Sequence, residues 1–171
     1  PKLIAMLTNV QGYEGPGILR TLGEIGPNAE EAIPAIDAAL ATEPMEAAKA
    51  LGRIGPASVP ILVKALKHEN ADVRTWSAWA LRYLGPDASK AAPALADTVK
   101  KDEDARNFAI QALAAIGPDA APAVPALITV LQGDDGTLQF WALHAIRQIG
   151  PGAKAAKDVV LWAMETDNQE Q

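Results

Sequence analysis

A Gly-Pro pair recurs about every thirty residues and constrains the fold of this 171-residue chain more than any other feature. The pair follows an aliphatic residue each time, and its glycines are Gly26, Gly55, Gly85, Gly117 and Gly150. A second marker keeps step with it: a proline that opens a seven-residue apolar pattern, such as PILVKAL from Pro60. Two markers in register favour stacked structural repeats. A compact helical bundle is the alternative, but a bundle requires no such period.

Each repeat is predicted to contain two helices. Glycine suits the left-handed position just after a helix, and the adjacent proline prevents the helix from continuing. The later proline suits the first turn of the next helix. Before each Gly-Pro pair, small and aliphatic residues form a narrow stripe, as in Ala109, Ala112, Leu113 and Ile116. We therefore predict an all-α fold, an α/α superhelical solenoid of about five helix-hairpin repeats.

The repeats predict one domain over residues 1–171. Its units are expected at about 1–26, 27–55, 56–85, 86–117 and 118–150, with a half unit at 151–171. The second unit is about one helical turn short, which predicts a shortened helix or an altered loop near Glu43-Pro44. Both ends resemble interrupted units, so we expect a piece of a longer array or absent flanking segments, with a natural, frayed terminus as the alternative.

Composition and charge narrow the function classes. The chain has no cysteine, which excludes disulfides, thiolate zinc sites and cysteine nucleophiles. Its net charge of −6 argues against nucleic acid as a partner, and no uninterrupted apolar run reaches the length of a membrane span. His68 and His144 are too far apart to suggest a metal site or an acid–base pair. We expect no cofactor, no nucleic-acid partner, no membrane partner and a cytoplasmic location.

The repeat motif resembles HEAT-like repeats, in particular the short type named after the phycobilisome lyases. Its two clearest copies are Asn70, Val73, Arg74, Ala80, Leu81, Leu84, Gly85 and Asp102, Arg106, Ala112, Leu113, Ile116, Gly117. The resemblance covers essentially the whole chain and implies fold more than function, because this fold hosts many unrelated roles. It implies that the helix with the arginine lines the concave face.

The same resemblance implies a ladder of acidic and arginine side chains between neighbouring units. We expect this ladder only in the middle of the chain, because Gln139 replaces the arginine in the last full unit and the first two units also lack it. Asn70, Asp102 and Asp135 precede these helices and are expected to be their N-caps. Family members that bind iron through repeated His-Glu pairs are a poor match, since only His68-Glu69 occurs here, in a loop.

A helical wheel of each second helix identifies a candidate binding face opposite the core stripe. Trp79 and Phe140 are expected to be exposed there, whereas Trp76, Phe108 and Trp141 lie on the flank and are expected to be half-buried between units. The predicted partner-binding residues are Trp76, Trp79, Arg82, Tyr83, Phe108, Gln111, Phe140, Trp141, His144 and Arg147. The surrounding positions are locally basic inside an acidic protein, since Arg20, Lys49, Arg53, Arg82 and Arg147 outnumber Glu24 and Glu46.

An aromatic face with arginines suits a protein or peptide partner of acidic character. The leading hypothesis is therefore a non-catalytic binding scaffold, not an enzyme. The repeat type and the aromatic cleft also allow a bilin-lyase-like enzyme or a tetrapyrrole carrier. A third possibility is a structural spacer within a larger protein, which would require the inner aromatic rings to be covered by neighbouring units.

Overall fold

The computed structural model describes residues 2–8 and 14–157, and every element within these ranges is helical. Its α-helices are α1 (Lys2–Thr8), α2 (Gly15–Ile25), α3 (Ile33–Ala39), α4 (Pro44–Ile54), α5 (Val59–Ala65), α6 (Ala71–Leu84), α7 (Ala92–Lys101), α8 (Arg106–Ile116), α9 (Val124–Leu131) and α10 (Gly136–Ile149). Short 3₁₀ segments join successive hairpins at Gly26–Ala32, Pro56–Ser58, Gly85–Ala91, Gly117–Ala123 and Gly150–Ala156. The prediction of an all-α fold is confirmed. Most of the half unit at 151–171 lies outside the described residues.

The Gly-Pro pairs end the second helix of each hairpin, as predicted. Gly85 follows α6 with a φ of 58°, and Gly117 follows α8 with a φ of 74°. Within the described chain, positive φ values occur only at glycines, and all five of those glycines belong to Gly-Pro pairs. The conformation excludes a side chain, and the following proline then starts the 3₁₀ segment.

Two of the three expected N-caps are confirmed. Asn70 accepts a hydrogen bond from the Asp72 backbone N–H at 2.8 Å, and Asp135 accepts from the backbone N–H groups of Thr137 and Leu138. Asp102 differs: its Oδ1 accepts from the backbone N–H groups of Asp104 and Ala105, but α8 begins only at Arg106. It therefore stabilises the turn that precedes the helix.

The short second unit is also confirmed. Its second helix, α4, begins directly at Pro44 and has 11 residues, whereas α6 in the next unit has 14. The residue before it, Glu43, has non-helical backbone angles (φ −132°, ψ 61°), and its side chain accepts no capping hydrogen bond. Compared with α6, the start of α4 is one turn shorter; α8 also has 11 residues, but its unit has a 10-residue first helix, α7, where the second unit has the 7-residue α3.

The helices form two layers around a continuous core. Second helices α2, α4, α6, α8 and α10 pack on one another in order along the array, whereas contacts between consecutive first helices are sparse. Leu51, Leu81 and Leu113 from the second helices are fully buried, and they share one core cluster with Leu62 and Leu95 from the first helices. The closely packed layer of second helices, α2, α4, α6, α8 and α10, is here called the inner layer.

Small residues permit this close approach. A Cβ added to Gly23 of α2 would lie 3.1 Å from the Ala50 Cα of α4. Alanines dominate the buried surfaces of the second helices, with Ala47, Ala80 and Ala112 all fully or almost fully buried. The inner layer is therefore built on helix backbones in near contact.

One stretch of the described chain, Arg106–Leu131, is long and apolar enough by composition to cross a membrane. In the fold it comprises α8, a 3₁₀ segment and α9, and Gly117 interrupts it with a left-handed φ. Ile110, Leu113 and Leu127 are buried in the solenoid core, and Phe108, Ile128 and Val130 pack against it half-buried. Packing between repeats therefore accounts for its apolar character.

Candidate binding face

Three aromatic side chains on α6 form a contiguous cluster, here called the first aromatic cluster: Trp76, Trp79 and Tyr83. The Trp79 and Tyr83 rings stack with centroids 5.8 Å apart and an interplanar angle of 17°. Trp76 meets Trp79 edge to face at 5.9 Å and 63°. Both arrangements are ones that aromatic pairs prefer, and the three- and four-residue spacing on a helix brings them together.

Exposure differs along the first aromatic cluster. Tyr83 is 59% exposed, whereas Trp76 and Trp79 are half-buried against the core. The half-buried position expected for Trp76 is confirmed, and the Lys49 ammonium of the preceding unit lies 5.3 Å from its ring centroid. The prediction that Trp79 is exposed was wrong, because the stacked Tyr83 ring and the Trp76 edge cover it from the same helix.

A second aromatic cluster lies on α10 and consists of Phe140, Trp141 and His144. Phe140 packs edge to face on Trp141 at 5.3 Å, and Trp141 does the same with His144 at 5.8 Å. Phe140 is 62% exposed, which confirms its predicted exposure. Trp141 and His144 are half-buried, as expected for Trp141.

The surface of α8 separates the two clusters. Phe108 is half-buried against the core, as predicted. The Gln111 side-chain amide donates to the Asn107 Oδ1 at 2.7 Å, so part of its hydrogen-bonding capacity is already used within the helix. The middle of the face therefore combines a half-buried ring with a hydrogen-bonded amide pair, and an aromatic cluster lies on each side.

All six aromatic residues in the described ranges lie on α6, α8 and α10. Exposed arginines accompany both exposed rings: Arg82 is adjacent to Tyr83 in sequence, and Arg147 lies two turns beyond Phe140 on α10. Neither arginine has an ion-pair partner among the residues that the structure describes. The candidate face thus combines exposed rings with cations that are free to bind.

The sequence did not single out a cleft at the other end of the inner layer. It lies between α2 and α4, has a volume of about 390 Å³, and is lined by Pro16, Gly17, Arg20, Glu46, Lys49, Ala50 and Arg53. The basic residues were evident in the sequence, but their convergence depends on how the two helices pack. A signal was present in Arg20 and Lys49, which occupy the same outward position in consecutive units.

One ion-pair rung joins two units at the loop edge. Arg74 of α6 donates through Nη2 to Asp102 Oδ1 at 3.3 Å and to Asp104 at 3.1 Å, and its Nη1 donates to the carbonyls of His68 and Glu69. The hydrogen bond to Asp102 raises the pKa of Arg74 against the opposing effect of burial. Burial alone would raise the pKa of Asp102, but the Arg74 and backbone hydrogen bonds outweigh it and hold that pKa below its usual range.

The expectation that this ladder stays in the middle of the chain agrees with the observed contacts. Arg106 donates to the Val99 carbonyl at 2.9 Å, and Gln139 donates to the carbonyls of Leu131 and Gly133. Both side chains therefore fasten the loop of their own unit. The Arg74 rung is the one acidic–arginine link between consecutive motif helices in the described chain.

The histidines have different surroundings. His68 accepts a hydrogen bond from the Asn70 backbone N–H at its Nδ1, which makes it part of the loop before α6. In the described ranges, no group of three or more His, Asp or Glu side chains is arranged to hold a metal ion. The inner face therefore offers rings and cations as its main chemical groups.

The stacked hairpins and their buried alanine-rich interfaces define a HEAT-like repeat solenoid. Residues 44–114 match the family of HEAT repeats. The resemblance of the repeat motif to HEAT-like repeats of the phycobilisome-lyase type is thereby confirmed, together with the solenoid fold.

Two solved structures illustrate the similarity. The complex of CpcE and CpcF of phycocyanin lyase from Nostoc sp. PCC7120 matches with a TM-score of 0.70 and 25% identity, covering 86% of this chain and 64% of that chain. The crystal structure of an engineered protein matches with a TM-score of 0.65 and 24% identity, covering 97% of this chain and 85% of that one. This chain thus spans less than two thirds of the lyase chain. Among curated proteins, no sequence matches it.

Proposed function

We propose that this chain is a non-catalytic scaffold that binds a protein or peptide along its inner layer. The observation that carries the proposal is the exposure of Tyr83 and Phe140 on that layer, at 59% and 62%. Covering the exposed part of such a ring gains about 2–4 kcal/mol, from an area of about 90–150 Å² at about 25 cal/mol/Å². Each exposed ring belongs to a contiguous aromatic cluster on its helix, and contiguous exposed apolar surface is a mark of interaction sites.

The neighbouring cations support the same function. Arg82 and Arg147 provide planar donors on the same helices as the exposed rings, and aromatic residues with arginine dominate the energetics of many interfaces. The related CpcE and CpcF chains form a complex with each other, which supports a protein as the class of partner. A purely structural spacer would leave the exposure of Tyr83 and Phe140 without a role.

The test uses a displayed library of random peptides selected on the whole chain. The double variant Tyr83→Ala/Phe140→Ala is expected to bind the selected peptides at least thirtyfold more weakly, measured by fluorescence anisotropy. Ile25→Ala is a matched control, because Ile25 is also a large exposed apolar residue, at 41%, but lies at the end of α2. Equal losses in both variants, or selected peptides indifferent to the double variant, would contradict the proposal.

A second candidate function is tetrapyrrole handling, favoured by the similarity to phycocyanin lyase. A flat conjugated ring could stack on Tyr83, and its carboxylates could pair with Arg82. Titration of a free bilin with the protein tests this function directly. A shift of the visible absorption that disappears in Tyr83→Ala supports it, and an unchanged spectrum excludes it.

A further inference from the structure

The cleft between α2 and α4 concentrates positive charge within an acidic protein. Arg20 of α2 and Lys49 and Arg53 of α4 converge on it, against one lining carboxylate, Glu46. Lys49 and Arg53 have no ion-pair partner in the described ranges. The 390 Å³ volume is large enough for a carboxylate side chain with part of its backbone.

Two of the three cations, Arg53 and Lys49, are positioned by packing. The Arg53 Cδ lies against α2, 3.3 Å from the position that a Cβ on Gly23 would occupy. Lys49 lies over the Trp76 ring at 5.3 Å, which directs its ammonium along the inner layer. The Arg20 Nε lies 3.9 Å from the Glu24 Oε1, but both side chains are mostly exposed. This ion pair is therefore weak, and a carboxylate of a ligand can replace Glu24.

The cleft is continuous with the candidate binding face. Lys49 contacts both: it lines the cleft and also touches Trp76 of the first aromatic cluster. Neighbouring helices lie about 8–10 Å apart, so the cleft centre is about 12–15 Å from α6, and α10 is about 16–20 Å further on. An extended chain rises about 3.3 Å per residue. It therefore needs about four residues to reach α6 from the cleft and about five to six more to reach α10.

We propose that the α2–α4 cleft is a carboxylate subsite for the bound peptide. The occupant is an extended segment with an Asp or Glu in the cleft, an apolar residue about four positions away on Tyr83, and a second apolar residue five or six positions beyond it on Phe140. This inference rests on the proposed function and adds the chemistry, order and spacing of the partner.

Gly17 gives a direct way to test the cleft. It lies in the cleft wall, and a Cβ added there would meet no atom within 4 Å, so the first atom of a new side chain is accommodated without a clash. Gly17→Glu places a carboxylate among the three cations, and Gly17→Gln adds the same shape without the charge. The probes are the peptides selected on the whole chain, each synthesised also with its acidic residue changed to the amide.

The Gly17→Glu protein is expected to bind the acidic peptides at least tenfold more weakly than the Gly17→Gln protein. The amide peptides should bind the unmodified protein at least tenfold more weakly than their acidic parents and should not distinguish the two Gly17 variants. The selected sequences should carry Asp or Glu about four positions from an apolar residue.

The outcomes separate this inference from the proposed function. Peptides that need Tyr83 and Phe140 but bind both Gly17 variants equally would overturn the carboxylate subsite and leave the binding function intact. Peptides whose binding is unchanged in Tyr83→Ala/Phe140→Ala would overturn both the carboxylate subsite and the proposed binding function. A twelve-nucleotide single-stranded DNA probe that binds more tightly than every peptide and is lost in Gly17→Glu would assign the cleft to phosphate and overturn the peptide proposal.

Discussion

The Arg74 guanidinium and the Asp102 carboxylate join the third and fourth repeat units through two hydrogen bonds at the loop edge. Their side chains are only 19% and 13% exposed, so solvent screens the pair weakly. The same guanidinium also holds two carbonyls of its own loop, at His68 and Glu69. One side chain therefore fixes a loop and fastens it to the next repeat.

Replacing Asp102 with Asn should lower the free energy of unfolding at pH 7 by about 1–3 kcal/mol, since the Arg74 charge loses the more buried of its two carboxylate partners. The pKa of Asp102 is lower in the folded protein than the unfolded value of about 3.9, so its contribution is present above that value and is lost as pH falls through the folded pKa. The raised pKa of Arg74 keeps the guanidinium charged over the whole acidic range. Urea titrations followed by circular dichroism from pH 2 to pH 7 measure both effects.

Asp37→Asn is the control for this pair. Its partner Lys64 lies 2.9 Å away, but the lysine side chain is 72% exposed, and such surface pairs contribute about 0–1 kcal/mol. Asp102→Asn should therefore lower the free energy of unfolding more than Asp37→Asn does. It should also reduce the fall of that free energy with decreasing pH. If the free energy of unfolding of Asp102→Asn depended on pH as steeply as that of the unmodified protein, ionisation of Asp102 would not contribute to stability.

Gly23→Ala should destabilise the protein. The new methyl group would lie 3.1 Å from the Ala50 Cα, and overpacking of this kind costs about 1–3 kcal/mol, which exceeds the gain of about 0.5–1 kcal/mol in helix propensity. The new methyl group in Gly17→Ala, on the same helix, would meet nothing within 4 Å. This variant should therefore be more stable by the gain in helix propensity alone. Thermal and urea unfolding of the two variants decide the matter, and a shift of the same sign in both would refute the close helix contact.

Ser77→Ala should raise the free energy of unfolding by about 1 kcal/mol. The Ser77 hydroxyl is fully buried and is the one buried side-chain polar atom in the described chain without a hydrogen-bond partner. Alanine occupies the equivalent position in three other units, at Ala47, Ala109 and Ala142. A measured loss of stability in Ser77→Ala would show that the hydroxyl has a partner.

Ser58→Ala is the matched comparison and should lower stability by about 1–2 kcal/mol. Ser58 is equally buried, but its Oγ lies 2.7 Å from the carbonyl oxygens of Leu51 and Gly55 at the end of α4. The two serines thus test the same substitution with opposite expected signs in urea unfolding.

Tyr83→Ala should change the unfolding free energy by less than about 1 kcal/mol, because most of the ring faces solvent. Trp79→Ala should cost about 2–4 kcal/mol, because that ring is half-buried against the core. Differential scanning calorimetry of both variants separates rings needed for folding from rings available for binding. A large loss in Tyr83→Ala would remove it from the candidate binding face.

The repeat architecture could be predicted from the sequence because its determinants are local. Gly85 and Pro86 fix a helix end through backbone conformation alone, and the stripe of small residues follows from helical periodicity. Asn70 was recognisable as an N-cap for the same reason, since its partner is two residues away.

Features that depend on contacts between side chains were harder to predict from the sequence. A helical wheel gives the direction of Trp79 but not the ring of Tyr83 that stacks on it. The second carboxylate on Arg74, Asp104, and the cleft between α2 and α4 both depend on the packing of consecutive units. Sequence periodicity describes one helix at a time, and these sites are formed by two elements.

Since each hairpin touches mainly its immediate neighbours, melting of this array can begin at an outer hairpin without opening the middle. The Arg74–Asp102 rung ties the third hairpin to the fourth, next to the fully buried Leu81 and Leu113. Amide protons of α6 and α8 should consequently exchange last, so the first aromatic cluster on α6 stays in place even when the hairpin that carries the second cluster opens.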